Sequence, residues 1–281
     1  MTSPVLARPK EIAAQRVLVV GPTGAGKSSF ISAAVGRDIG IGHGGESCTE
    51  SCGRYRVRAG DADFELIDTP GFDDQSRDDF SILENIKEYL DGVVGIVYCH
   101  RITDTRMIGN VRLNLDIIKA VVGRAFCSRV VICSTMWDTL STQAITAKQG
   151  QFRERMEGLL DSVFGSMMER GAHYKEFRPS DKDTCTNILD IFTSQRCAPR
   201  LALAEQLSEK FHMRETKPGV VILDERKKRD KDRKAQAQGL GDGGSSLGLQ
   251  VSSPRERTMR GKRRHADGSK KSTALLSHWG L

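Results

Sequence analysis

Three glycines, a lysine and two serines are packed into GPTGAGKSS, residues 21–29, directly after the apolar run RVLVV at 16–20. A buried strand that breaks into such a turn and restarts as a helix is suited to holding an anion. Glycines let successive backbone N–H groups converge with no Cβ in the way, and the helix that follows adds its positive end. The spacing fits G-x-x-x-x-G-K-[ST] at Gly21, Gly26, Lys27 and Ser28. In that pattern Thr23, Gly24, Ala25 and Ser29 complete the cradle, Lys27 neutralises β- and γ-phosphate oxygens, and the Ser28 hydroxyl reaches Mg²⁺.

Two further strand ends carry residues of the same chemistry. FELIDTPGFDD, residues 64–74, closes an apolar run in Asp68, which can hold Mg²⁺ through a water, while the bare backbone of Gly71 can approach a γ-phosphate. VVICSTMWDTL, residues 131–140, ends in Asp138, whose carboxylate can accept from guanine N1–H and the 2-amino group, a pair adenine does not offer. In this stretch the chain resembles the translation-factor-class GTPases, whose motif is [NT]-K-x-D. Thr135 and Asp138 match it, and Met136 stands at the lysine, where its thioether stem supplies apolar cover for the base.

GESCTESC, residues 45–52, offers Thr49 as the threonine that closes over Mg²⁺ and the γ-phosphate. Its SCTESC core resembles the S-x-T-x-x-C stretch of the immunity-associated (GIMAP-type) GTPases. The ordered set GPTGAGKSS, SCTESC, DTPGFDD and TMWD is similar to that septin-related group and to fungal G-domain proteins with stretches like HRITDTRMIG, residues 100–109. Over residues 15–195 the resemblance implies a GTP/GDP-binding domain using Mg²⁺ and a homodimer across the nucleotide face. It implies Lys27, Thr49 and Gly71 as catalytic groups and Ser28, Thr49 and Asp68 around the metal. The fifth, base-contacting motif is expected within residues 176–190. One departure bears on rate: Phe72 stands where Ras-type enzymes carry the glutamine that orients the attacking water. Slow intrinsic hydrolysis follows, unless His43, His100, Arg101 or a partner subunit positions the water. Arg106 is a further candidate clamp, weighed against a solvated loop arginine.

Periodicity supplies the elements that must present these groups. Strands are expected at 16–20, 92–99 and 129–135, a hairpin at 53–59 and 63–68, and helices at 28–35, 79–90, 111–122, 144–170 and 186–193. Continuous apolar strands alternating with helices mean a doubly wound, mostly parallel α/β sheet covered on both faces. The expected organisation is a tail at 1–14, a G domain at 15–198, a helical and charged extension at 199–234 and a disordered basic tail at 235–281.

The net charge of +7 belongs to the end of the chain, since residues 225–281 hold 15 Lys/Arg against 6 Asp/Glu. That tail has no aromatic platform for nucleic acid, so no specific nucleic-acid partner is expected; weak contact with an anionic membrane surface, or nuclear import through RGKRRH at 260–265, is open to it. Seven cysteines without metal-ligand spacing indicate a reducing, cytoplasmic setting and no zinc site at CTESC. Neither a signal peptide nor a spanning segment is expected. Three readings remain: a GTP-hydrolysing switch, a GTP-dependent assembly scaffold with little turnover, and a P-loop ATPase.

Overall fold

The computed structural model describes residues 15–38, 52–71, 79–104, 109–139, 142–181, 183–193 and 198–241. In chain order the elements are β1 (Gln15–Val20), α1 (Lys27–Val35), β2 (Gly53–Ala59), β3 (Ala62–Asp68), α2 (Asp79–Lys87), β4 (Val93–Arg101) and α3 (Gly109–Val122). There follow β5 (Val130–Thr135), α4 (Thr142–Ser162), α5 (Gly165–Met168), β6 (His173–Glu176), α6 (Asp183–Thr193), α7 (Ala202–Ser208) and α8 (Lys217–Gly241). The chain divides after Lys234 into two units, and the sheet, its two apolar layers and the sites described below lie in the first.

The six strands form one sheet in the order β2-β3-β1-β4-β5-β6. Only the β2/β3 pair is antiparallel. Side chains of a strand alternate between faces, so a strand apolar at every position must be covered on both. Leu18 and Val20 enter one apolar layer with Ile96, Tyr98 and Ile132, beneath α2, α3, α4 and α5. Val17 and Val19 enter the other with Val97, Cys99 and Val131, beneath α1 and α6. At the rim, β2 alternates differently: Arg54, Arg56 and Arg58 are exposed, and Tyr55 and Val57 are half-buried.

The doubly wound sheet therefore matches the expectation, with four departures at element level. The expected helix over 144–170 is broken: Phe164 turns fully into the core, and the chain restarts at Gly165, a poor helix former, as α5. β6 had no apolar signature, because HYKE pairs with β5 alone and leaves His173 and Lys175 exposed. α6 starts at Asp183 rather than 186. Helix α8 runs through the charge block and on to Gly241, past the expected onset of disorder at 235, with Lys227–Asp224 and Arg229–Glu225 pairs one turn apart along it.

The extension packs on the domain through its apolar residues. Leu201, Leu203, Met213 and Ile222 are buried in the layer that holds α2 and α3, and the guanidinium groups of Arg214 and Arg226 each lie 5.2 Å from the Phe80 ring centre on α2. No helix among the described residues is long and apolar enough to cross a membrane. Because Leu203 is fully buried, Leu203→Ala is expected to lower unfolding free energy by about 2–5 kcal/mol. Urea denaturation followed by circular dichroism measures this; a loss below about 0.5 kcal/mol, the level of a surface site, would detach the extension from the core.

Candidate functional site

β1 ends in the middle of the sheet, and its last residue hands the chain to the glycine turn. Gly21 has φ 142°, and a Cβ there would lie 2.4 Å from the Cys99 carbonyl oxygen on β4, so only glycine lets the turn lie this close to its neighbour strand. The loop folds on itself through Ala25 N–H to the Pro22 carbonyl (3.2 Å), and α1 opens with Phe30 N–H to the Gly26 carbonyl (2.9 Å). Lys27 is buried, and its ammonium donates to the carbonyls of Gly21 (3.1 Å) and Pro22 (2.9 Å), which holds the cation across the loop.

The end of β3 meets this loop directly. The Ser28 hydroxyl donates to Asp68 Oδ2 at 2.8 Å. Thr69 continues the β1/β3 ladder, its N–H and its hydroxyl both reaching the Val19 carbonyl. Gly71 then packs on Thr23: a Cβ there would fall 2.2 Å from Thr23 Oγ1 and 2.5 Å from Thr23 N. Residues far apart in sequence thus share one corner. A hydroxyl and a carboxylate at hydrogen-bond distance are hard oxygen donors, as Mg²⁺ requires when its remaining ligands are phosphate oxygens and water. Among the described residues no cluster of three or more His, Cys, Asp or Glu could hold a metal without such help.

β5 braces the loop from the other side. The buried Thr135 hydroxyl lies 2.9 Å from the Ala25 carbonyl and 3.2 Å from that of His100, so this residue, expected to contact nucleotide, supports the loop. Met136 is left-handed, with φ 64°. The reversal sends Trp137 inward, where it is 1% exposed, and leaves Asp138 exposed at the surface. Trp137 Nε1 donates to Ser134 Oγ (3.0 Å), which is 2.8 Å from the Tyr174 hydroxyl on β6. The Arg178 guanidinium covers the indole at 4.9 Å and pairs with Glu176, which also takes Arg153.

This platform was not visible in the motif, whose variable position Trp137 occupies. A tryptophan directly before Asp138 was the available signal. The platform brings the start of the 176–190 stretch to the end of β5, where the Phe177 N–H donates to the Ser134 carbonyl at 2.8 Å.

Of the candidates for ordering water, His100 is 1% exposed, packs its ring against Phe164 at 6.3 Å and has no hydrogen bond at either nitrogen among the described residues. Burial holds its pKa below the ordinary histidine value, against the opposing pull of Asp104. It is a neutral core residue and leaves the list. Arg101 is half-exposed, pairs with Asp104 at 3.0 Å and lies beside the loop, its Nη1 3.4 Å from where a Cβ on Gly24 would be. A guanidinium only donates, so it can offset phosphate charge but cannot accept a proton from water. Thr49, His43, Phe72 and Arg106 lie outside the described residues.

Residues 16–122 match the family described as 50S ribosome-binding GTPase. Among solved structures, Toc33 from Arabidopsis thaliana in complex with Mg²⁺ and GMPPNP is 20% identical, with a TM-score of 0.53 over 67% of this chain and 88% of that one. Its complex with GDP and Mg²⁺ is 21% identical, with a TM-score of 0.50 over 68% and 89%. A dimerization-deficient mutant of the same Toc33 gives 20% and 0.51 over 68% and 89%. A search of curated proteins finds no match. The fold is that of a P-loop GTPase G domain.

If Thr135 braces the loop, Thr135→Val strands the buried Ala25 carbonyl and is expected to cost about 1–3 kcal/mol of stability, most of it recovered in Thr135→Ser. Equal unfolding curves for the valine and serine variants would remove the hydroxyl from this role.

Proposed function

We propose that the chain binds GTP and GDP with Mg²⁺ on the β1 turn, hydrolyses GTP slowly, and associates with a second copy across the nucleotide face. The observation that carries this is that a single loop is tied to both other motifs, Ser28 to Asp68 and Ala25 to Thr135. Backbone N–H groups and Lys27 receive the phosphates, and Ser28 and Asp68, with Thr49, hold the metal, which offsets charge on the β- and γ-oxygens. The exposed Asp138 at the end of β5 reads the base. The Toc33 complexes with GDP or GMPPNP and Mg²⁺, and a Toc33 variant described as dimerization-deficient, support the ligand and the association. The GIMAP-like SCTESC stretch agrees with both. Five free cysteines among the described residues, four of them buried, suit a reducing, cytoplasmic compartment.

A scaffold with little turnover is the second reading, favoured by Phe72 directly after Gly71.

Base recognition has a direct test. Asp138→Asn is expected to lose GTP at least tenfold and gain xanthosine triphosphate, whose 2-oxo group takes a donor where guanine offers one. A folded variant that still prefers GTP places base recognition elsewhere and revives the ATPase reading.

Turnover has a second. With no amide after Gly71 to orient water, specific activity is expected to rise with protein concentration and level off as dimers saturate. Fast, concentration-independent hydrolysis would assign the missing group to this chain, and activity below detection at every concentration would favour the scaffold.

A further inference from the structure

A basic recess opens at the far end of the sheet from the phosphate loop. Lys119 on α3, Arg124 just beyond it, Arg170 after α5 and Lys217 at the start of α8 surround a cavity of about 360 Å³. Its apolar lining includes the buried Cys127 and Met167. Cys127 belongs to the turn that leads into β5 at Val130, whereas Thr135 at the other end of β5 touches the phosphate loop. At ~3.3 Å per residue the strand alone separates the two places by roughly 17 Å, so a ligand here is not the one on the loop.

Four cations gather here with no carboxylate lining the recess, and none of them forms an ion pair among the described residues. Part of this charge has a local reason. Lys119 donates to the Val163 carbonyl at 2.6 Å and Arg170 to that of Ser166, which suits cations near helix C-termini. The side chains of Arg124 and Lys217 have no such partner among the described residues.

Lys119 is the half-buried member of the four. Burial holds its pKa below the ordinary lysine value; Arg112 pushes the same way, and Asp116 opposes both. Burial likewise pushes the Cys127 thiol up, so it stays neutral and supplies no compensating charge. A concavity lined by charges of one sign concentrates ions of the opposite sign. The volume lies within the ~300–1,000 Å³ range of small-molecule sites, larger than a single phosphate group fills.

We propose that this recess binds a multiply phosphorylated small anion through Lys119, Arg124, Arg170 and Lys217. Two sources share that chemistry, a soluble polyphosphorylated metabolite and the headgroup of a phosphorylated lipid. Titration calorimetry of the full chain with inositol 1,4,5-trisphosphate as probe is expected to give saturable binding. Arg124→Ser/Arg170→Ser, a change at two exposed positions, is expected to weaken it at least tenfold, and Lys217→Ser alone to weaken it at least threefold. Lys27→Ala is expected to leave it unchanged.

No saturable binding, equal binding by parent and recess variants, or loss of binding in Lys27→Ala would each overturn the site, the last by moving the anion to the phosphate loop. Co-sedimentation with phosphatidylcholine vesicles containing phosphatidylinositol 4,5-bisphosphate separates the sources. Weaker sedimentation of the double variant assigns the lipid headgroup; equal sedimentation, with the soluble probe still discriminating, assigns the free anion. The basic tail is common to both chains and cancels.

Discussion

The phosphate loop belongs to no ladder of its own, and its shape is imposed from outside by the strands that end beside it. β1 lies between β3 and β4; the chain leaves β1 through α1 on one face of the sheet and leaves β3 through α2 on the other, to reach β4. In an open parallel sheet that is where a crevice forms at the carboxyl ends of the strands. Asp68 and Gly71 press in from β3, and Cys99 and Thr135 from β4 and β5. A displaced strand end would therefore move the loop's N–H groups as well. The two apolar layers matter to chemistry for this reason: they fix the relative height of β3, β1, β4 and β5, and with it the corner where Ser28, Asp68 and Thr23 meet.

Such bracing from several directions explains why side chains named for ligand contact can also support the scaffold. Thr135 spends its hydroxyl on a backbone carbonyl, and the residue after it adopts a left-handed turn that a side chain ordinarily avoids. The buried Trp137 and its Arg178 cover anchor the far side of that turn, so Asp138 stands on a short, fixed stem. A carboxylate placed this way has little freedom left to lose on binding a ligand.

Much of this was legible in the residues, for reasons that differ from place to place. The apolar strands could be read because both of their faces are buried, which leaves an unbroken run of valine and isoleucine. The loop and the strand end beside it stood out because glycines, a lysine and a carboxylate fall there at fixed spacing, and the fold brings Ser28 and Asp68 together. β6 could not, since an edge strand with one neighbour needs no apolar pattern. The break before α5 turns on where Phe164 finds space, which local sequence does not encode. His100 was ambiguous for a related reason: a histidine at a strand end looks the same whether its ring faces a ligand or Phe164. In the extension the amphipathic run at 201–211 agrees with packing on the domain, whereas the charge block after it gave no sign that α8 begins with a buried Ile222.

The alternating arginines of β2 bear on how copies of this chain can meet. That strand has a neighbour on one side only, and a bare backbone edge invites another strand to pair with it. Were a second copy to add its own β2 there, Arg54, Arg56 and Arg58 would confront the same residues on one face, where Glu65 is already shared by Arg16 and Arg54. Like charges along the rim make that edge-to-edge pairing of two copies unfavourable.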